Sequence, residues 1–127
     1  MEDSNKLIER GFELHKKGKV KEALELYSEA LSSQSSNPKL LFLVGLANLQ
    51  ISNFVSAIDF FQKTISLDPN NYGAYNNLGA AYQNLNQFNE AINIYKKLIL
   101  IKPDFSDAYN NLGNCFVKLN NFNEAIK

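Results

Sequence analysis

The feature that most confines this chain is a period. "YNNLG" occurs at residues 75–79 and again at 109–113, and "NEAI" at 89–92 and 123–126, both with an offset of 34 residues. Written in rows of 34 that start at Ser4, Pro38, Tyr72 and Ser106, the chain stays in register without an insertion. The eighth column reads Gly11, Gly45, Gly79 and Gly113; the twentieth reads Ala23, Ala57, Ala91 and Ala125. The twenty-fourth holds Tyr27, Phe61 and Tyr95, and the thirty-second Ser35, Pro69 and Pro103. Column four is Leu7, Leu41, Tyr75 and Tyr109; column seventeen is Val20, Phe54, Phe88 and Phe122. A unit this short cannot bury its apolar face alone, so it gains a core by stacking on its neighbours.

Within a row the apolar residues follow helical spacing. In the third row Tyr75, Leu78 and Tyr82 form one stripe, and Phe88, Ala91, Ile92, Tyr95, Leu98 and Ile99 a second. Between them lies "NLNQ", where an Asn can take the left-handed conformation that ends a helix; Gly18 holds the same place in row one. The second stripe runs into "DPN" or "KPD", where proline stops it. Each row therefore predicts two helices joined by a short turn, which forces them antiparallel. The small residues of columns eight and twenty predict close approach of two helix backbones, since glycine costs ~1 kcal/mol against alanine inside a helix. The aromatics of columns seventeen and twenty-four are expected to fill the gap between one helix pair and the next.

Composition closes off several function classes. Lys+Arg and Asp+Glu both number 13, with no basic block, which argues against nucleic-acid binding. The amino terminus is charged and has no apolar signal core. The longest apolar stretch, residues 40–51, is shorter than the ~20 residues of a membrane span and contains Gly45, Asn48 and Gln50. A single cysteine, Cys115, excludes an internal disulfide framework and fits a reducing compartment, so a soluble cytoplasmic protein is expected. His15 is the only histidine, which leaves no His-based triad or metal cluster. The six glycines are spread one or two per row rather than gathered into a phosphate loop. No catalytic residue, cofactor or metal is expected, and Cys115 reads as a small buried residue beside Ala47 and Ala81 of the same column.

These columns resemble the tetratricopeptide repeat family, a 34-residue helix–turn–helix with Leu-Gly, Tyr, Ala, an aromatic and Pro at set places. Row three carries Tyr75, Leu78-Gly79, Tyr82, Ala91, Tyr95 and Pro103; row four carries Tyr109, Leu112-Gly113, Phe116 and Ala125. Rows one and two depart from it: Arg10 and Val44 replace the Leu before Gly, Asn48 replaces an aromatic, and Ser35 replaces Pro. The resemblance is nearest in style to superhelical arrays such as that of O-linked N-acetylglucosamine transferase. It implies an all-α, right-handed superhelical α-solenoid of about three and a half repeats, forming one array over 1–127, with repeats at 4–37, 38–71, 72–105 and a truncated 106–127. The last row is expected to stop inside its second helix. That end reads either as a fragment of a longer chain or as a surface that pairs with another copy.

In this family the first helix of each pair lines the concave side, where ligands bind. The matching columns give an apolar first half (Ile8, Phe12, Phe42, Leu43, Leu46 and Leu49, with Glu9 and His15 between them) and an amide-rich second half of Asn76, Asn77, Asn110, Asn111 and Asn114. Asn77 and Asn111 match the asparagine ladder of superhelical members, while Glu9 and Leu43 do not. Exposed Phe and Leu need a cover, so the first half is expected to hold an apolar segment. Asn side chains, each donor and acceptor, are expected to meet an extended backbone. The chaperone-binding members grip a carboxylate with Lys, Asn and Arg; the matching positions here, Ile8, Phe12, Leu43, Gly73 and Asn77, supply no cation, so no binding to an acidic chaperone tail is expected. The resemblance thus implies a non-enzymatic module that binds a protein or peptide in its groove. Two alternatives stand beside it: a substrate-recruiting arm of a larger enzyme (a glycosyltransferase or sulfotransferase) cut at Lys127, or a self-associating scaffold, homodimeric through the apolar N-terminal groove or the C-terminal end. No nucleic-acid or membrane partner is expected.

Overall fold

A computed structural model describes residues 3–126. Among these residues the chain is all helix and turn: α1 (Ser4–Lys16), α2 (Val20–Leu31), α3 (Pro38–Gln50), α4 (Phe54–Leu67), α5 (Tyr72–Asn84), α6 (Phe88–Ile101) and α7 (Ser106–Ala125). No helix among them is long and apolar enough to cross a membrane.

The turn inside each of the first three rows is built the same way. The backbone N–H of Lys19, Asn53 and Gln87 donates to the carbonyl five residues back, of Leu14, Asn48 and Tyr82, at 2.9, 2.8 and 2.9 Å. The preceding residue in each case is left-handed: Gly18 at φ 81°, Ser52 at 65° and Asn86 at 59°. This wraps the orphan carbonyls of the first helix and reverses the chain within three residues. The first two junctions between rows carry a side-chain cap. Asn37 accepts from the Lys39 N–H at 3.0 Å, ahead of Pro38 at the first helical position, and Asn71 accepts from the Ala74 N–H at 3.0 Å.

In rows one to three the first helix packs on the second helix of its own row, and each second helix packs on the first helix of the next. First helices of successive rows also touch, α3 with α5 and α5 with α7, so they share one side of the array. The core is correspondingly a string of small clusters. One joins Leu7, Ala23, Tyr27, Ala30, Leu40 and Val44 across rows one and two. The next joins Ala57, Phe61, Ala74, Leu78 and Ala81 across rows two and three. Two more tie row three to α7 through Tyr95, Cys115, Leu98 and Ala108.

The glycine column works differently from expectation. A Cβ on Gly11 would stand 2.7 Å from the Tyr27 ring and one on Gly45 2.6 Å from the Phe61 ring; the Tyr95 ring lies closer still to Gly79. Glycine therefore makes room for the aromatic ring of its own row, and the column-twenty-four ring lies inside a helix pair rather than between pairs. Column seventeen does bridge rows, with Phe88 and Phe122 ring to edge at 6.0 Å between centroids.

Row four also corrects the sequence reading. α7 runs unbroken through Asn120, the position that is left-handed in the other three rows, so Phe122 and Ala125 extend the first helix instead of starting a second. The reversal elsewhere is held by a second helix whose ring seats on the column-eight glycine. Around Gly113 nothing lies within 4 Å of an added Cβ, so nothing there repays the cost of leaving helical geometry.

Candidate functional site

The residues of the shared side divide by burial. Ile8 and Leu43 are half-buried against the first core cluster, and Phe42, Leu46 and Leu49 against the second. The Phe42 ring lies 5.9 Å from that of Phe61, and its Cζ would be 3.4 Å from a Cβ on Gly73. These five side chains thus hold helix to helix while presenting part of their surface. Phe12 alone of the six apolar candidates is exposed, at 44%, with the Lys16 ammonium 5.2 Å above its ring. Beside it a hollow of about 550 Å³ opens along α1, lined by Glu9, Arg10, Phe12, Glu13, Leu14 and Lys17.

Column twelve has a second use that residue-by-residue reading missed. The Tyr95 hydroxyl donates to Gln83 Oε1 at 2.5 Å, and the Tyr27 hydroxyl lies 3.1 Å from His15 Nδ1. His15 Nε2 in turn is 2.6 Å from Gln50 Oε1, which links row one to row two. In row two the ring is Phe61 and the column-twelve residue is Leu49, both in one apolar cluster. A hydroxyl in column twenty-four goes with a polar residue in column twelve, and a bare ring with leucine. That pairing was present in the sequence. Burial raises the Tyr27 phenol to about 12 and pushes that of Tyr95 up as well, so both stay protonated donors at neutral pH.

The amide half is partly self-satisfied. Asn111 Nδ2 donates to Asn76 Oδ1 at 2.8 Å, bridging α7 and α5. That leaves the Asn111 carbonyl oxygen and the Asn76 amide hydrogens for another partner. Asn77 is half-buried, and Asn110 and Asn114 are exposed. None of Ile8, Phe12, Leu43, Gly73 and Asn77 carries a positive charge. Among the described residues no group of three His, Cys, Asp or Glu side chains converges on a metal site. Cys115 is fully buried, and burial pushes its thiol up, against a smaller opposing pull from Lys118, which leaves it a packing residue rather than a nucleophile.

Comparison with known proteins gives one consistent answer. Three family models described as tetratricopeptide or TPR repeat match residues 13–72, 60–93 and 84–120. The BBSome complex member BBS4 of Bos taurus is 34% identical over 58 residues, which is 46% of this chain and only 11% of that protein. The first TPR domain of Spaghetti (RPAP3), solved bound to the HSP90 peptide SRMEEVD, superposes with a TM-score of 0.85 at 26% identity, over 91% of this chain and 92% of that one. A crystal structure of the MamA protein superposes with a TM-score of 0.89 at 27% identity, over 98% of this chain and 68% of that one.

Proposed function

The chain belongs to the tetratricopeptide repeat family, and we propose that it is a protein–protein interaction module whose concave side binds a peptide or protein segment. The observation that carries this reading is the Spaghetti domain: it matches this chain over nine-tenths of both lengths and holds a peptide. One array, with rows 4–37, 38–71, 72–105 and 106–127, acts as a single binding unit in a cytoplasmic setting. It works by holding its partner, with no chemistry of its own.

The partner differs in kind from the acidic SRMEEVD peptide. The five positions that would neutralise a carboxylate are Ile8, Phe12, Leu43, Gly73 and Asn77. An acidic chain end placed there would lose its water and gain no counter-charge from these five side chains. The segment that fits is neutral. An apolar side chain covers Phe12 and the exposed edges of Phe42, Leu43 and Leu46. Farther along, its backbone meets Asn77 and the Asn76–Asn111 pair, whose free carbonyl oxygen takes a peptide N–H and whose free amide hydrogens reach a peptide carbonyl.

Peptides selected from a random display library on the intact chain test this. Neutral sequences with apolar residues are expected, their binding abolished by Phe12→Glu and weakened by roughly 1–3 kcal/mol in Asn77→Ala with Asn111→Ala. Capture of SRMEEVD-like acidic peptides, or indifference to Phe12→Glu, overturns the reading.

A further inference from the structure

The junction between rows one and two is packed at one end and thin at the other. Leu40 and Val44, in the first two turns of α3, share a buried core with Ala23, Tyr27 and Ala30 of α2. The next buried position on that stripe is Asn48, which turns its amide back along its own helix and donates to the Val44 carbonyl at 2.8 Å. In the same column of row three, Tyr82 packs on the cluster shared with row two and accepts from Gln62 Nε2 at 3.0 Å. Val20 stands where the later rows have Phe54, Phe88 and Phe122. A hollow of about 430 Å³ is left between the row-one turn and the end of α3, with Gly18, Val20 and Lys21 on one side and Gln50 and Ile51 on the other. Nor does α1 make a contact with α3 comparable to that of α3 with α5 or of α5 with α7.

Polar links hold this junction at both ends. At the thin end His15 Nε2 lies 2.6 Å from Gln50 Oε1. With the Tyr27 hydroxyl donating to Nδ1, the ring hydrogen stands on Nε2 and is given to Gln50. At the packed end Gln34 Nε2 donates to Ser4 Oγ at 2.6 Å and to Asn5 Oδ1 at 2.8 Å, and its Oε1 accepts from Asn37 Nδ2 at 2.8 Å. The connection 32–37 is longer than 68–71 and 102–105, because α2 stops at Leu31, two columns before α4 and α6. It also has Ser35 in place of Pro69 and Pro103, so its backbone is the least restrained of the three.

We propose that row one is a hinged unit that opens on row two. Segment 32–37 is the pivot, the Gln34 clasp holds the pivot end, and the His15–Gln50 bond is the latch. A hinge needs a soft connection on one side and little apolar contact to part on the other, and this junction has both. The later junctions lack the second condition: Tyr82 closes one, and the Phe88 and Phe122 rings meet across the other. Opening carries Phe12 away from Leu43 and Leu46, so the apolar half of the concave side widens while the amide half keeps its shape. The effect on ligand entry rests on the peptide-binding reading; the motion does not.

Nitroxide pairs read by double electron–electron resonance in the full chain test this. Column twenty-two is exposed in rows one to three, at Glu25, Asp59 and Asn93, and lies away from the hollow. Cys115→Ala removes the native thiol, alanine being the residue of that column in rows two and three. Glu25→Cys with Asp59→Cys then reports the first junction, and Asp59→Cys with Asn93→Cys the second. The first pair is expected to give one sharp distance. Gln50→Ala, a change at an exposed side chain, should lengthen that distance and broaden it roughly twofold while the second pair stays sharp. An unchanged first pair overturns the proposal, and so does equal broadening of both pairs, which is general loosening. Circular dichroism should find the helical content of Gln50→Ala equal to wild type; a loss would make Gln50 a folding residue and overturn the latch. No ligand enters these readouts, so their failure leaves the peptide-binding reading standing, and failure of the library selection leaves the hinge.

Discussion

The Tyr95 hydroxyl donates to Gln83 Oε1 at 2.5 Å, across the pair formed by α5 and α6. The bond explains how a phenol can stand at the centre of a row: the ring fills the space above Gly79 while its one polar atom is met. Row two reaches the same end with Phe61 and Leu49. Tyr95→Phe alone should cost about 1–2 kcal/mol, because Gln83 is left half-buried without its donor. Adding Gln83→Leu should recover most of that. A double-mutant cycle by urea denaturation measures the coupling, and simple additivity would show that the two side chains act independently.

Gly79 and Gly113 share a column but should answer substitution with opposite signs. At Gly79 an alanine Cβ strikes the Tyr95 ring, which is fully buried and tied to Gln83. Overpacking of about 1–3 kcal/mol then outweighs the ~1 kcal/mol gained in helix propensity. At Gly113 nothing is met, so only the gain remains. Thermal melts of Gly79→Ala and Gly113→Ala should move down and up, respectively.

Ser52 holds φ 65° in a place filled by Gly18 in row one and Asn86 in row three. A serine in left-handed geometry costs on the order of 1 kcal/mol, and glycine adopts it freely. Ser52→Gly should therefore raise the unfolding free energy by about that amount. A fall would mean that the serine side chain stabilises the turn in some way the backbone does not reveal.

Stability should drop at alkaline pH. Burial holds the Tyr27 phenol near 12 in the fold, against 10.0 for an exposed phenol. Above pH 10 the unfolded chain gives up a proton that the folded chain keeps, so the unfolding free energy falls steadily as pH rises from 10 towards 12. Tyr95, raised in the same direction, steepens the decline. Denaturation followed between pH 8 and 12 should show this slope, and Tyr27→Phe should flatten it without removing it.

Much of the fold was legible because the rows never slip: a strict 34-residue offset placed Gly18, Asn86 and the two prolines, and with them six helices. What stayed hidden depended on partners distant in sequence. Glycine beside glycine down a column suggests close backbones, but only the fold reveals that the room is taken by Tyr27, Phe61 and Tyr95. Ser52 gave no hint of its left-handed backbone, since the turn imposes it. On the concave side the pattern named the residues of the first helices but not their competing duties. Phe42, Leu46 and Leu49 also pack inward, and Asn76 and Asn111 spend part of their capacity on each other. In row four α7 runs on through Asn120, where the other rows turn left-handed, and nothing in the residue types of that row announced it.

α7 leans on α5 and α6 along one flank, and α1 on α2, so these two helices have their backbones covered from one side only. In a linear array an element covered from one side opens without waiting for the rest. Deuterium will enter the amides of α1 and of residues 116–125 before those of α4 and α5, packed on both flanks. The array thus opens row by row, its apparent stability depending on which row reports it.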